Sequence, residues 1–368
     1  MSTAFDLLYS DTEEGLRSAV RALLADRCAP AAVLARAETG RPHDPELWRT
    51  LAADIGTAGL LVPEKLGGQG AGHREAAVVL EELGRAVAPV PYLTSAVLAT
   101  EILLGCDTPE ATALLRELAT GRQVCAPALP LTQAPGAALP AAVRGTGGGA
   151  LTGTVTSVAD AVAADVLLVL ADTGLYAVPA AEAALTPLVP LDLTRPLATV
   201  TLDAAAGTRL ADPATARAAV AGALLSGAGL LASEQLGLAE WCLTETVRHV
   251  RGRHQFNRPV GSFQALKHRL AQLWLDVASA RAAARAAADA LATGAPDAPL
   301  TVAVAQAYCS GVAVRAAEEC VQLHGGIGMT WEHPAHLYLK RAKADALALG
   351  TPGHHASLVA EFAELPSP

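Results

Sequence analysis

The order of local sequence patterns is the feature that most constrains this chain: a helical part, a strand-like part, then helices again. Asp212-Pro213 marks the second change, because an aspartate N-cap followed by proline at the first helical position is a strong helix start. The residues after it predict four long helices, one to about residue 250 and then 262–291, 300–323 and 333–347. A small β-domain between two helical parts is an unusual arrangement.

The first part predicts short helices. An acidic turn at 11–14 suits a helix start, and further helices are expected at 45–51 and 75–87, with a short extended piece at 59–64. From about residue 123 to 210, runs rich in Val, Thr and Leu predict strands at 150–156, 166–170, 175–178 and 198–202. We therefore predict a mainly α fold with a small β-domain: a helical N-terminal domain (1–120), a middle β-domain (121–211) and a C-terminal four-helix bundle (212–368).

Composition excludes several classes of protein. The net charge of −9 and the lack of a basic run argue against binding of nucleic acid. The six cysteines are scattered without metal-ligand spacing, so we expect reduced thiols in the core and no metal site. The most apolar run, 219–232, is shorter than the ~18–20 residues of a membrane span. The start of the chain does not have the pattern of a signal peptide, which predicts a cytoplasmic protein away from membranes.

Three segments carry residue types that suit ligand binding. The first is Arg253-His254-Gln255-Phe256 with Phe263-Gln264, the second is 322–328 (QLHGGIG), and the third is the end of the last predicted helix. An arginine at a helix-to-loop corner offers a fork of donors that matches a pyrophosphate, or a salt bridge to another helix. Paired glycines after a helix allow close approach of a ligand, or simply cap the helix.

Taken together and in this order, these segments resemble the acyl-CoA dehydrogenase family over essentially the whole chain, including 59–64 (GLLVPE) and Gly67-Gly68. The resemblance implies the fold predicted above and removal of the α and β hydrogens of an acyl-CoA thioester, a carboxylate taking the proton and FAD the hydride. It also implies an electron-transfer flavoprotein as acceptor. In this family one subunit holds the flavin ring and supplies the base, and its neighbour clamps the pyrophosphate and adenosine.

The chain keeps the residues of the neighbour's clamp. By resemblance, the expected FAD contacts are Arg253, Gln255, Phe256, Gln264, Gln322, His324, Gly325 and Gly326, with His324 contributing its backbone.

Its own catalytic half departs from the family pattern. The usual catalytic Glu before Gly-Thr falls on Leu349, which cannot accept a proton, so no catalytic residue is predicted in this chain. The stretch 154–160 lacks the Trp-Ile-Thr/Ser strand that contacts the flavin ring, and all four tryptophans lie outside the β-domain. Loss of both features, with the clamp retained, resembles the helper subunit of heterotetrameric dehydrogenases that act on steroid side-chain CoA thioesters.

The leading hypothesis is therefore a non-catalytic subunit that completes the FAD site of a paralogous partner carrying the catalytic Glu. A second hypothesis is a self-sufficient homomeric dehydrogenase with a relocated base, for which His254 and Glu245 are candidates. A third is a flavin-free binding or assembly protein on the same fold. Retention of the whole clamp argues against the third hypothesis.

Overall fold

The computed structural model describes residues 7–146 and 148–365. Within these ranges the first part of the chain forms six α-helices: α1 (Asp11–Arg27), α2 (Pro30–Ala37), α3 (Pro45–Arg49), α4 (His73–Ala86), α5 (Thr100–Leu104) and α6 (Pro109–Ala119). Ser10 and Glu13 form a capping box at the start of α1, each bonding the other's backbone amide. The helix starts predicted at 11, 45 and 75 are thus confirmed to within two residues.

One local prediction was wrong. The segment 59–64 is not extended but consists of turns between two short 3₁₀ helices, Thr57–Gly59 and Glu64–Leu66. Gly68 closes this segment, because a Cβ at that position would lie 2.0 Å from the Val62 carbonyl oxygen. The glycine allows the chain to fold back on itself, and Leu61 and Val62 become buried without a strand.

The middle of the chain forms two four-stranded sheets packed around their own apolar cluster. One has the order β1 (Cys125–Pro127), β4 (Val166–Ala171), β5 (Gly174–Pro179), β8 (Thr208–Ala211), with β1 parallel to β4. The other has the order β2 (Val143–Gly145), β3 (Ala150–Ala159), β7 (Leu197–Ala206), β6 (Ala184–Pro187), all antiparallel. All four predicted strands are present.

The last part is a bundle built on α7 (Pro213–Gly252), α8 (Gln264–Thr293), α9 (Ala298–His324) and α10 (Ala335–Asp345). Asp212 caps α7 as predicted, accepting bonds from the Ala214 and Thr215 amides. A fifth helix that the sequence reading missed, α11 (Pro352–Phe362), packs on α9. A hairpin of β9 (His254–Gln255) and β10 (Arg258–Pro259) joins α7 to α8.

Helix α7 organises the whole fold. It packs on α9 in parallel, since Ala228 meets Gln306 and, nearer the C-terminal ends, His249 meets His324. It also packs on α4, where glycines on both helices allow contact: a Cβ on Gly237 would lie 1.9 Å from the Glu81 carbonyl oxygen. The N-terminal helices and the bundle therefore share one continuous core. The proposed domain boundaries stay a prediction.

Two helical stretches, Pro213–Gly252 and Ala298–Met329, are long and apolar enough to cross a membrane. Their most apolar windows are 61% and 56% buried inside the fold, as expected for core helices of a bundle. All six cysteines are buried and unpaired, which confirms their prediction as small core residues.

Candidate functional site

The corner after α7 presents several predicted site residues to solvent. The hairpin turn places Phe256 and Asn257 at φ +52° and +57°, the geometry that a two-residue hairpin favours. Phe256 is 86% exposed, and its ring meets Phe263 edge-on with centroids 6.0 Å apart. Arg253 and Gln255 are exposed as well. An aromatic ring held out from a strained turn is a feature of binding surfaces.

Among the described residues, Arg253 forms no salt bridge, so its guanidinium is available to a ligand or partner. Gln264 is the first residue of α8 and is exposed. Arg258, by contrast, lies over the Phe263 ring at 3.9 Å and supports the base of the hairpin. The corner thus offers a guanidinium, an amide and an aromatic face together.

The turn after α9 is open in the way that close approach of a ligand requires. Gly325 has φ +63°, and a Cβ on Gly325 or Gly326 would meet no heavy atom within 4 Å. Gln322 is exposed beside them. Gly328 has a different role, because a Cβ there would lie 2.4 Å from the Val321 carbonyl oxygen and force the turn open.

His324 is the one predicted site residue whose side chain is buried. Its Nδ1 lies 2.6 Å from the Cys320 carbonyl oxygen, and its ring packs between His249 and His333 with centroids 4.2 Å from each. Only its backbone can therefore contact a cofactor. Because His249 precedes Arg253 by one helical turn, this contact brings the turn after α9 and the corner after α7 to the same end of the bundle.

The position at which the family pattern places its base is apolar. Leu349 is 1% exposed, with φ +53° and its amide bonded to the Leu131 carbonyl oxygen at 2.8 Å. It lines a cavity of about 20 Å³. The other described residues that line this cavity carry no titratable side chain. They are Thr94, Leu98, Ile102, Pro127, Leu129, Pro130, Leu131, Ala159, Val220, Ala223 and Leu224. None of the described side chains that line this cavity can act as a base.

A larger cavity lies between the sheets and the bundle. It has a volume of about 580 Å³, and its lining includes Leu131, Thr132 and Ser157. Ser157 sits at φ +58° on an irregular part of β3, within the stretch 154–160 that lacks the family's tryptophan motif. The lining is largely aliphatic and contains no aromatic ring among the described residues. Sequence reasoning did not reveal this cavity.

A buried network of charges lies beside the larger cavity, and sequence reasoning missed it too. Arg195 pairs with Asp345 at 2.6 Å and with Glu234 at 2.7 Å, and Arg341 pairs with Glu234 at 2.6 Å and with Asp192. Three carboxyl groups thus face two guanidinium groups. Burial, reinforced by the Glu234 charge, raises the pKa of Asp345 to about 8, so this group carries the proton that balances the network.

The two candidate relocated bases are placed differently. Glu245 pairs with Arg248, a pairing that holds the pKa of its carboxyl below the ordinary range. His254 is exposed, with Nδ1 3.0 Å from the Gly252 carbonyl oxygen. Neither residue lines the cavity at Leu349. The ligand atoms of Glu245, His324 and His333 lie within 4.8 Å of one another, and the expectation of no metal site stays a prediction.

Two helical parts with a shared core lie around two small sheets, and a corner and a turn are exposed at one end of the bundle. Together these features define an acyl-CoA dehydrogenase fold. The family models for the acyl-CoA dehydrogenase N-terminal domain and C-terminal domain match residues 10–122 and 217–363. The chain belongs to the acyl-CoA dehydrogenase family.

Its relatives include acyl-CoA dehydrogenase IpdE2 of Mycobacterium tuberculosis, 38% identical over 92% of each chain. Among solved structures, a chain of the ChsE4–ChsE5 complex from Mycobacterium tuberculosis matches with a TM-score of 0.86 and 31% identity, covering 98% of this chain and 100% of that one. A variant of the Tcur3481–Tcur3483 steroid ACAD matches with a TM-score of 0.84 and 29% identity, covering 96% and 98%.

Proposed function

We propose that this chain is the non-catalytic, FAD-sharing subunit of a hetero-oligomeric acyl-CoA dehydrogenase. The observation that carries the proposal is the cavity at Leu349. A dehydrogenase needs a proton acceptor beside the substrate's α carbon, and this cavity has none among its lining residues. A catalytic carboxylate must then come from a paralogous partner chain.

The exposed corner and turn fit the outer half of an FAD. Arg253 would bind the pyrophosphate, since a guanidinium fork matches two phosphate oxygens. Gly325 and Gly326 leave open space for close approach of the backbone. Gln255, Gln264 and Gln322 offer exposed amides for the adenosine, and Phe256 an exposed ring. The larger cavity fits the flavin ring less well, because its lining offers no aromatic contact.

When bound beside the residues named above, FAD would supply the acceptor for the hydride that leaves the β carbon of the acyl thioester. In the proposed division of labour this chain binds and orients the cofactor's diphosphate and adenosine, and its partner removes the α proton. The similarity to chains of the ChsE4–ChsE5 complex and the Tcur3481–Tcur3483 steroid ACAD supports a partner chain. The steroid specificity of the second enzyme supports a steroid-derived CoA thioester as substrate, for which we propose the side-chain thioester. We further propose an electron-transfer flavoprotein as acceptor, which membership of the family supports.

The decisive experiment measures flavin absorbance per chain. The protein is purified alone and after co-expression with a paralogous subunit that carries the catalytic Glu. Alone, it should retain little FAD and dehydrogenate no acyl-CoA. The complex should be yellow, with one flavin for each pair of chains, and should turn over.

A matched control uses the complex with the partner's catalytic Glu replaced by Gln, which should keep its flavin and lose its activity. A yellow homo-oligomer with one FAD per chain and turnover would show instead that the chain is a self-sufficient dehydrogenase. A complex without flavin would favour a binding or assembly protein.

A further inference from the structure

Four titratable side chains meet beneath the turn after α9. Glu245 and His249 lie one helical turn apart on α7, His324 ends α9, and His333 lies in the loop before α10. The ligand atoms of Glu245, His324 and His333 all lie within 4.8 Å of one another. The His249 ring contacts the His324 ring, with centroids 4.2 Å apart. Three separate segments of the chain converge here.

The orientation of His324 makes this cluster unusual. Its side chain is fully buried, and Nδ1 donates to the Cys320 carbonyl oxygen, so Nε2 of the neutral ring carries the lone pair. That Nε2 has no hydrogen-bond partner among the described residues, and it faces Glu245 Oε1 at 3.9 Å. A buried nitrogen without a partner that faces a carboxylate is satisfied either by a proton on the imidazole or by a metal ion bound between the two groups. This is the arrangement of a metal-binding histidine whose other nitrogen is fixed by a carbonyl group.

We propose that Glu245, His324 and His333 form a Zn²⁺ site, with His249 beside the fourth position. Two imidazoles and a carboxylate are a ligand set that Zn²⁺ uses, whereas Mg²⁺ prefers oxygen ligands alone. The ion would join the end of α7, the end of α9 and the loop before α10, directly beneath Gln322–Gly328. It would thus fix the turn in place whether or not flavin is bound, so the inference does not depend on the proposed function.

Two existing contacts compete with the ion. The Ala335 amide donates to His333 Nδ1 at 3.2 Å. This hydrogen bond is lost when His333 binds the ion, because Nδ1 is then either the ligand atom itself or protonated while Nε2 is the ligand atom. Arg248 pairs with Glu245, but its side chain is 74% exposed and can turn to solvent. Both contacts are weak compared with direct coordination of Zn²⁺.

The test uses the full untagged chain, stripped with a chelator and titrated with Zn²⁺ by calorimetry. We expect one Zn²⁺ to bind per chain and the midpoint temperature of thermal unfolding to rise when Zn²⁺ is bound. Mg²⁺ should neither bind with comparable affinity nor raise this midpoint. His333→Ala and Glu245→Gln should each weaken Zn²⁺ binding at least about tenfold. Replacement of the exposed His268 by Ala is the matched control, because it removes a histidine outside the cluster and should leave binding unchanged.

Circular dichroism of each variant shows whether it has folded, and Glu245→Gln keeps the size of the side chain should His333→Ala fail to fold. Absence of stoichiometric Zn²⁺ binding by the wild-type chain would overturn the proposal. Equal Zn²⁺ affinity in the wild type and both cluster variants would also overturn it, as would equal binding of Mg²⁺. None of these readouts involves flavin, a partner or turnover, so the result is independent of the hetero-oligomer.

Discussion

The buried network at Arg195, Arg341 and their three carboxyl partners illustrates how single residues in this protein depend on distant ones. Asp345 and Glu234 both contact Arg195, and all three side chains are at most 7% exposed. An unbalanced charge here would be expensive, because no solvent screens it. The proton on Asp345 removes the imbalance, and the stability of the fold therefore decreases as the pH rises from the ordinary aspartate range toward about 8.

Asp345→Asn should remove this sensitivity. The folded-state pKa of about 8 lies above the ordinary value of an aspartate, so the folded protein holds a proton that the unfolded chain has released. The free energy of unfolding of the wild type therefore falls as the pH rises toward 8, by at most about 1.4 kcal/mol per pH unit. The neutral amide can still accept from Arg195 and has no such dependence.

Denaturant unfolding at several pH values from about 6 to about 9 measures the difference between the two proteins. We expect the stability of the variant relative to the wild type to increase as the pH rises from about 6 toward about 8, and to stay constant above the pH at which the folded Asp345 carboxyl has lost its proton. Parallel pH profiles would show that Asp345 is already ionised in the folded state.

Arg253 is the residue on which the proposed clamp depends most. Arg253→Ala should weaken FAD retention in the hetero-oligomer, since a charge-assisted contact to phosphate contributes about 1.5–3 kcal/mol, or one to two decades in affinity. Arg251→Ala is the matched control, because Arg251 is also exposed but still lies within α7. Flavin content after gel filtration gives the result. Equal flavin affinity in the two variants would assign Arg253 a structural role only.

At the scale of elements, the crossing of α4 and α7 decides how closely the N-terminal helices approach the bundle. Gly84 and Gly237 face each other's helices: a Cβ on Gly84 would lie 2.1 Å from the Glu234 carbonyl oxygen. Such contacts leave no room for a methyl group on either side. The 40-residue α7 also contains Gly222, where a Cβ would meet nothing within 4 Å.

These glycines make a matched pair of tests. Gly237→Ala should destabilise the fold by about 1–3 kcal/mol, because the methyl group must push the two helices apart. Gly222→Ala should stabilise it by about 0.5–1 kcal/mol, since alanine loses less backbone entropy in an open helical position. Thermal and denaturant unfolding measure both. Similar effects of the two substitutions would mean that the helices do not cross so closely.

At the scale of the whole molecule, the exposed apolar side chains indicate surfaces made for assembly. Phe256 and Met329, on the corner and the turn, are 86% and 79% exposed, and Trp274 on α8 is 59% exposed. These side chains are candidates for contact with a partner chain, because exposed apolar surface that forms a continuous patch marks an interface. In the proposed hetero-oligomer, a partner chain seated here would also enclose the flavin.

The assembled enzyme allows a test of which chain carries the base. In the hetero-oligomer, His254→Gln should change the dehydrogenation rate by no more than a few fold. A positioned general base contributes about 10²–10⁴-fold, so a catalytic role could not remain hidden. Replacement of the partner's catalytic Glu by Gln, measured in the same assay, gives the rate of a complex that has lost its base. A hundredfold fall for His254→Gln with full flavin occupancy would transfer the catalytic role to this chain.

Much of the fold follows from local sequence. The helices that begin after Ser10 and Asp212 are each started by capping hydrogen bonds between residues at most three positions apart. The strands follow from short apolar runs between turn residues. The candidate clamp residues could also be proposed from the sequence, because 253–256 and 322–326 are each short runs of suitable residue types. Only the structure shows that these two distant runs lie at the same end of the bundle. The wrong prediction at 59–64 shows where local sequence patterns fail. The chain reverses there because Gly68 packs against the Val62 carbonyl oxygen, a contact that cannot be predicted from the local pattern.

The sequence alone also placed Leu349 where a base would be expected, but only the structure showed that no other acceptor enters that cavity. The same holds for the network around Arg195 and for the cluster of Glu245, His324 and His333, whose members come from segments far apart in the chain. Periodicity and capping act over a few residues and fix the elements. Which charges and ligand atoms meet is decided by helix packing, because close contacts such as that at Gly237 set the position of whole helices.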